Sequence, residues 1–268
     1  NTSSNRKFCC GANDKGCRKK NHSIIMKQPR LRDSRHLVQE VFPLGKIPNE
    51  IITKIGAGIV FRLHTGRKDI TGDDWGDILA SAVGGEHLAK PLGLSDVVTS
   101  ATAWSAKTVK STHPFSQSTV RLISGRNSPD YSYGIEDPHD DIQKTGDAVL
   151  GIWNGRVDIA QAHHPRIRVI VLVRNYDCSE FVVYEELLEH FVINDYEWRE
   201  NSQSNFEGFE KSTNKKVFTW QPHGSQFTIH STIPDNAIKF KGRRPPVQTQ
   251  ESALKNIGFD ESWIEIMD

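Results

Sequence analysis

The chain has 268 residues, of which 25% are charged and 36% hydrophobic, and a formal net charge of +1 at pH 7. No apolar run approaches the roughly 18 to 20 residues that a membrane helix needs, so no membrane partner is expected and a globular domain with a sizeable core is. The near-neutral total hides a segregation: residues 1–36 hold ten Lys or Arg against Asp14 and Asp33, leaving 24 basic and 31 acidic groups in the rest. A basic N-terminal arm suits an anionic partner, most commonly nucleic acid, although a solvated tail has the same composition. Cys9, Cys10 and Cys17 cluster there with His22. Adjacent cysteines followed by a six-residue gap do not match the paired two-residue spacing of zinc fingers, so reduced thiols are expected in place of a Zn2+ site. No apolar signal-peptide core precedes the first basic residues, and the expected location is cytoplasmic.

After the arm, Leu37 to Phe42 and Ile47 to Phe61 have helix-spaced apolar positions broken by Pro43 and Pro48, and a helix is predicted to start near Asn49. Thr71-Gly72-Asp73-Asp74 is the next helix start, with Trp75, Ile78, Leu79 and Ala82 on one face and Gly84-Gly85 as the stop. Leu94, Val97 and Val98, then Trp104, Ala106, Thr108 and Val109, alternate on either side of a small-residue break at Thr99 to Thr102, which predicts two strands and a short turn. Ser118 to Ser124 reads as a third strand. From Pro138, the spacing of Ile142, Val149, Ile152, Trp153 and Val157 predicts a helix reaching about His163, interrupted near Gly151 or Gly155. Arg166 to Val173 is the clearest strand, apolar enough to be central. A short strand at Phe181 to Tyr184 and a short helix at Glu185 to Phe191 follow. Tyr196 to Arg199, Phe206 to Glu210, Val217 to Trp220 and Ser225 to His230 then form an antiparallel meander, and Ser252 to Ile257 a last short helix.

Asp96 falls on the first strand of the hairpin and Lys107 on the second. A carboxylate and a lysine at neighbouring strand positions are what metal-assisted phosphodiester hydrolysis needs, the one to hold a hard cation and the other to position the attacking water. A surface ion pair across a hairpin would contain the same two residues. The order helix, three strands, helix, strand, with the acid on the first strand and the lysine on the next, resembles the PD-(D/E)xK nuclease fold of many Type II restriction endonucleases over roughly residues 70–175. Two positions depart from that motif: Ser105 stands where a second acid is usual, and Ser95 where a proline precedes the aspartate. The resemblance implies an α+β (α/β) fold, a mixed central sheet flanked by helices, carrying an extra antiparallel meander in the C-terminal part. It also implies Mg2+, or Mn2+, as cofactor, with Asp96 as metal ligand, Lys107 as water-activating group and Ser105 as accessory contact. Asp77 is the first choice for a further metal-binding carboxylate and Glu86 the second.

Within the C-terminal part, Trp220-Gln221-Pro222-His223-Gly224-Ser225-Gln226 reads as an exposed loop that offers Gln221, His223, Ser225 and Gln226 to base edges. Arg121, Arg126 and the basic run with Lys241, Arg243 and Arg244 suit phosphates, as a solvated charged loop also would. The expected organisation is an arm over 1–36 and a nuclease domain over 37–268, with its core at about 70–175 and a recognition subregion at about 180–245. The expected function is Mg2+-dependent cleavage of double-stranded DNA by a homodimer, whose two-fold symmetry matches a palindromic site. The alternative from another class is a DNA-binding or modified-base-reading module on the same fold, to which Ser105 lends support. His163-His164 are adjacent and cannot share a helical face as a zinc pair would, and no nucleophile elbow or P-loop occurs.

Overall fold

The computed structural model describes residues 40–88 and 94–267, so the arm and its Cys9, Cys10, Cys17 and His22 lie outside the described residues. All described residues belong to the unit Val38–Asp268. Helix α1 (Asn49–His64) begins directly after Pro48 and turns Ile51, Ile55, Ile59 and Leu63 inward, at the four-residue spacing of one helical face. Helix α2 (Gly72–Val83) opens on a reciprocal cap, in which Asp74 N–H donates to the Thr71 hydroxyl and Thr71 N–H donates to the Asp74 carboxylate. It stops at Gly84, whose φ of +68° is cheap only for glycine. Trp75, Ile78, Leu79 and Ala82 are all buried, as their spacing predicts.

Strands β1 (Glu86–His87), β2 (Val97–Val98) and β3 (Ala103–Lys110) pair antiparallel in turn. The chain then leaves the sheet for β4 (Thr119–Arg126) and a short helix α3 (Pro129–Tyr133). It returns through α4 (Ile142–His163) to β5 (Ile167–Arg174), which lies parallel to β3 along its whole length. Strand β6 (Glu180–Leu187) pairs antiparallel with β5. The meander follows as β7 (Tyr196–Glu200), β8 (Phe206–Glu210), β9 (Lys216–Gln221) and β10 (Gln226–Thr232), and then come β11 (Ile238–Lys241) and helix α5 (Gln250–Asn256). The result is a mixed α+β architecture with a six-stranded sheet in the order β1-β2-β3-β5-β6-β11 and a five-stranded sheet in the order β4-β10-β9-β8-β7.

Four expectations change. The third strand of the expected meander, β4, pairs with β10 in the second sheet, and a two-residue strand at Glu86–His87, which the sequence did not reveal, completes the three-strand meander instead. Helix α4 runs without interruption. Two of its glycines serve close approach, since a side chain at Gly146 would collide with the Trp198 ring and one at Gly151 with the Tyr133 hydroxyl, while Gly155 faces open space. The stretch expected to be a helix from Glu185 continues strand β6 to Leu187, because Glu185 is held by groups distant in sequence. The stretch from Trp220 to Gln226 is an exposed loop only at its tip, because Trp220 is buried and Gln221 and Gln226 belong to β9 and β10.

The side-chain period of two sorts the larger sheet into two faces. Val97, Trp104, Ile170, Leu172 and Val183 pack against α1 and α2. Ala103, Ile167, Val169, Val171 and Tyr184 face the other way, toward α4 and the second sheet, where Phe206, Phe218, Trp220 and Phe227 form an aromatic layer around Trp153 and Val157. Strand β5 is therefore covered on both sides, which explains its near-continuous apolar sequence.

One ionic group sits inside this packing. On the face toward α1 and α2, Arg168 Nη1 donates to Glu185 Oε1 at 2.9 Å, with the two side chains 2% and 0% exposed. Trp104 Nε1 donates to Glu185 Oε2 at 3.0 Å and Gly45 N–H to Oε1 at 2.8 Å, while Arg168 Nη2 donates to the Phe42 carbonyl. The carboxylate thus joins β3, β5, β6 and the segment before α1. Removing the carboxylate leaves buried Arg168 only the partly exposed Glu40, 3.2 Å from Nη2, and orphans the Trp104 and Gly45 donors, so Glu185→Ala is expected to destabilise the fold by about 3–5 kcal/mol, read from urea unfolding. A loss under about 1 kcal/mol would mean the group is better solvated than its packing implies.

Candidate functional site

The site begins with a strand that ends early. Strand β2 pairs with β3 over Val97↔Trp104 and Val98↔Ala103, and Asp96 N–H still donates to the Trp104 carbonyl at 2.9 Å. Beyond that point the next outward amide of β3, Ala106 N–H, donates at 2.8 Å to the side chain of Asp96, to Oδ2, in place of a backbone carbonyl. Ser105 Oγ donates to the same oxygen at 3.3 Å, and Lys107 Nζ lies 3.6 Å from it. All three contacts fall on Oδ2. Oδ1 receives no protein hydrogen bond among the described residues. Asp96 and Lys107 are each 24% exposed, half-buried at the rim of the sheet, so the carboxylate is aimed yet reachable.

Ser105 and Lys107 are two apart on β3 and share the face turned toward α4 and the second sheet. There the structure adds a residue that the sequence reading missed. Arg156, on α4, donates through Nη1 to the Ser124 carbonyl at 2.5 Å and to Asn127 Oδ1 at 3.1 Å. Its other guanidinium N–H groups make no hydrogen bond among the described residues. Burial pushes the Arg156 pKa down, and the Asp96 carboxylate opposes that shift, which places the two charges in one electrostatic neighbourhood. The signal was its position: Arg156 lies one turn after Trp153, beside buried Val157, where an apolar face leaves no ordinary reason for a guanidinium.

Arg156 also reaches the second sheet at a defined irregularity. Four residues of β4, from Ile123 to Arg126, oppose three of β10, from Thr228 to Gln226. The extra residue is taken up around Gly125, at φ +100°, where an added Cβ would stand 3.0 Å from both guanidinium nitrogens. Directly beyond this bulge Arg126 pairs with Gln226, and Gln226 with Gln221, which sets three of the expected DNA-contacting residues in one row. Asn127 N–H donates to the Ser225 carbonyl at 2.8 Å and Trp220 Nε1 to the Asn127 carbonyl at 2.8 Å, so the hairpin tip is tied to the segment that Arg156 grips. Ser225 itself, at φ +53°, shapes the turn, and His223 is exposed at its tip. Arg121 is exposed on β4 opposite His230.

The remaining expected residues go elsewhere. Asp77 binds Arg62 Nη2 at 2.7 Å and His87 Nδ1 at 2.8 Å, on a helix packed against the opposite face of the sheet. Glu86 is exposed on β1, paired with Val98. No group of three or more His, Cys, Asp or Glu side chains converges among the described residues, so Asp77 and Glu86 do not complete a carboxylate cage with Asp96. Lys241, Arg243 and Arg244 lie on or after β11, at the far edge of the sheet from β2. Lys241 faces Glu180 at 3.3 Å, and Arg244 donates to the backbone carbonyls of Asp177 and Arg67. Lys110, on the other face from Lys107, binds Asp69 at 2.7 Å beside Arg174.

This geometry separates two duties of Asp96. As an edge cap it needs only an acceptor, which an amide also provides. Asp96→Asn is therefore expected to leave stability within about 0.5 kcal/mol, whereas Asp96→Ala, which orphans the Ala106 N–H, costs about 1–3 kcal/mol in chemical denaturation. Equal losses for both would mean that the charge, not the acceptor, holds the edge.

No family model matches the chain, and no curated protein and no solved structure matches it.

Proposed function

We propose that the chain is a divalent-metal-dependent endonuclease that hydrolyses phosphodiester bonds of double-stranded DNA. The observation that carries this reading is the Asp96 carboxylate, held on one oxygen by Ser105, Ala106 and Lys107 and left open on the other. The element order supports it: α2, a three-strand antiparallel meander, then α4 leading to β5 parallel to β3, with the aspartate at the start of β2 and the lysine on β3. That order keeps the helix, three strands, helix and strand of the resemblance to PD-(D/E)xK nucleases, with the acid and lysine moved to the second and third strands and with β4 and α3 inserted before α4.

The donor set is compatible with Mg2+, which commonly takes one or two carboxylates and fills its shell with phosphate oxygens and water. Asp96 Oδ1 is the protein ligand that would hold it. Such an ion, when bound, polarises the phosphate and acidifies its water. Lys107, beside the same carboxylate, contacts a non-bridging phosphate oxygen and orients the attacking water. The open N–H groups of Arg156 take a second phosphate oxygen, and because Arg156 also grips Ser124 and Asn127, the position of the hairpin tip is passed to the reacting group. Arg126 contacts the backbone, and Gln221 and Gln226 read base edges. Two chains acting on a palindrome complete the reading.

One observation favours the second reading, a DNA-binding module without strong activity: Oδ2 of Asp96 already serves as a strand cap and no second acid stands at Ser105. Incubation of a mixed plasmid and genomic DNA substrate with Mg2+ or with EDTA decides. Cutting in Mg2+ alone, lowered by several orders of magnitude in Asp96→Asn and Lys107→Ala with DNA affinity held within about tenfold, is the expected result. Binding without cutting under any divalent ion supports the second reading, and undiminished cutting by either variant removes the proposed site.

A further inference from the structure

A second site lies on the same face of the larger sheet. Between β5, β6, β10 and α4 is a cavity of about 320 Å³, walled by Leu122, Trp153, Val169, Phe191 and Ile229. Its size is at the small end of the ~300–1,000 Å³ of ordinary small-molecule sites. Trp153 and Phe191 lie with ring centroids 6.0 Å apart, tilted by 33°, and give it an aromatic wall.

One carboxyl group enters this apolar space. Glu186 accepts a hydrogen bond from Ser231 Oγ at 3.2 Å, and Ser231 in turn bonds the Tyr184 hydroxyl at 2.9 Å. With Ser231 donating to Glu186, the tyrosine donates to the serine, so both hydroxyls are arranged to leave Glu186 an acceptor. No other protein hydrogen bond reaches Glu186 among the described residues. Burial accordingly pushes its pKa up. Half-buried at the cavity wall with one protein hydrogen bond, the Glu186 carboxyl keeps acceptor capacity for a ligand that displaces solvent there, and the Asp96 site makes no use of it.

The lining restricts what can supply that donor. No Lys or Arg lines the cavity, and Glu189 adds a second acid, so a phosphate or carboxylate ligand is disfavoured. His230 contributes no cation, because its ring is bonded to Thr219 Oγ1 at 2.8 Å and burial lowers its pKa to about 4. A flat, uncharged heterocycle bearing an amino group fits: its faces meet the aromatic and aliphatic walls and its N–H groups meet the carboxylate, as Glu accepts from the exocyclic amine of cytosine.

We infer that this cavity is a binding site for a single amino-bearing nucleobase, cytosine or adenine, with Glu186 reading its exocyclic amine and the sugar and phosphate left outside. The base comes from one of two sources, a free nucleoside or a nucleotide turned out of duplex DNA, and only the second source rests on the proposed action on DNA.

The test is made without divalent ions, so its outcome is independent of cleavage. Calorimetric titration of the full chain with cytidine, adenosine and uridine, at alkaline pH where the carboxyl is ionised, is expected to show cytidine and adenosine binding at least about tenfold more tightly than uridine, whose O4 puts an acceptor against the carboxylate where they have the amine and whose N3–H lies elsewhere on the edge. This comparison needs no variant. Glu186→Gln, checked for an unchanged thermal unfolding profile, should erase the preference, because an amide offers uridine the donor it lacked. A duplex carrying 2-aminopurine then separates the sources. A fluorescence rise with the wild type and not with Glu186→Ala, which removes the acceptor that an amide would keep, assigns the base to the duplex, and nucleoside binding without such a rise assigns it to free nucleoside. Uridine binding as tightly as cytidine, or no nucleoside binding and no aminopurine signal, would overturn the inference.

Discussion

A single amide, Ala106 N–H, has no strand beside it, and the Asp96 carboxylate takes its hydrogen bond. Strand β2 contributes two residues to the ladder and then diverges, and the side chain of the residue just before it stands in for the missing backbone carbonyl. An unmet edge amide would cost the sheet roughly 1–3 kcal/mol, so the carboxylate is fixed by a demand of the fold itself. Its fixed oxygen attracts Ser105 and Lys107, and its other oxygen is left pointing away from them. The same bond therefore stabilises an edge and orients a charge. A group aimed by a backbone contact suffers little reorganisation when a ligand arrives, and such preorganisation is what metal-assisted hydrolysis requires.

The second dependence runs through α4. The helix covers the face that carries Asp96 and Lys107, and it also supports the aromatic layer of the second sheet. Gln143 at its start bonds the backbone of Tyr196 and Trp198, and Arg156 near its end bonds Ser124 and Asn127. The helix thus touches both edge strands of the second sheet, β7 and β4. Gly125 lets the guanidinium lie against the β4 bulge, so Arg156 is held by the segment that leads to the hairpin tip. The hairpin tip and the sheet face that carries Asp96 are joined through one helix, which under the proposed function would couple base reading to cleavage.

Local features were legible in the sequence and long-range ones were not. The period of 3.6 in α1 and α2, with Pro48, Thr71 and Gly84 at their ends, is a property of neighbouring residues, as is the alternation around Thr99 to Thr102. The same alternation in β4 gives a half-buried strand but cannot say which sheet it joins. Residues 185–187 look helical until Arg168 and Trp104, 17 and 81 positions away, are seen to hold Glu185 in a strand. Gly151 suggested a break because the hydroxyl of Tyr133 that fills its place lies on another helix. At the site, Asp96, Ser105 and Lys107 could be grouped because two of them share a strand and the third faces them across a hairpin. Asp77 joins them only through the resemblance and its helix position ahead of the hairpin, and Arg62 and His87 claim it.

The central claim is that Asp96 offers one free oxygen to a divalent ion whose shell a DNA phosphate must complete. Electron paramagnetic resonance of Mn2+ titrated into protein, into duplex DNA and into both together measures this directly. The account predicts a class of bound Mn2+ that appears only when protein and duplex are both present and disappears with Asp96→Asn. Retention of that class in Asp96→Asn, or no added Mn2+ in the mixture beyond what DNA alone binds, would contradict it.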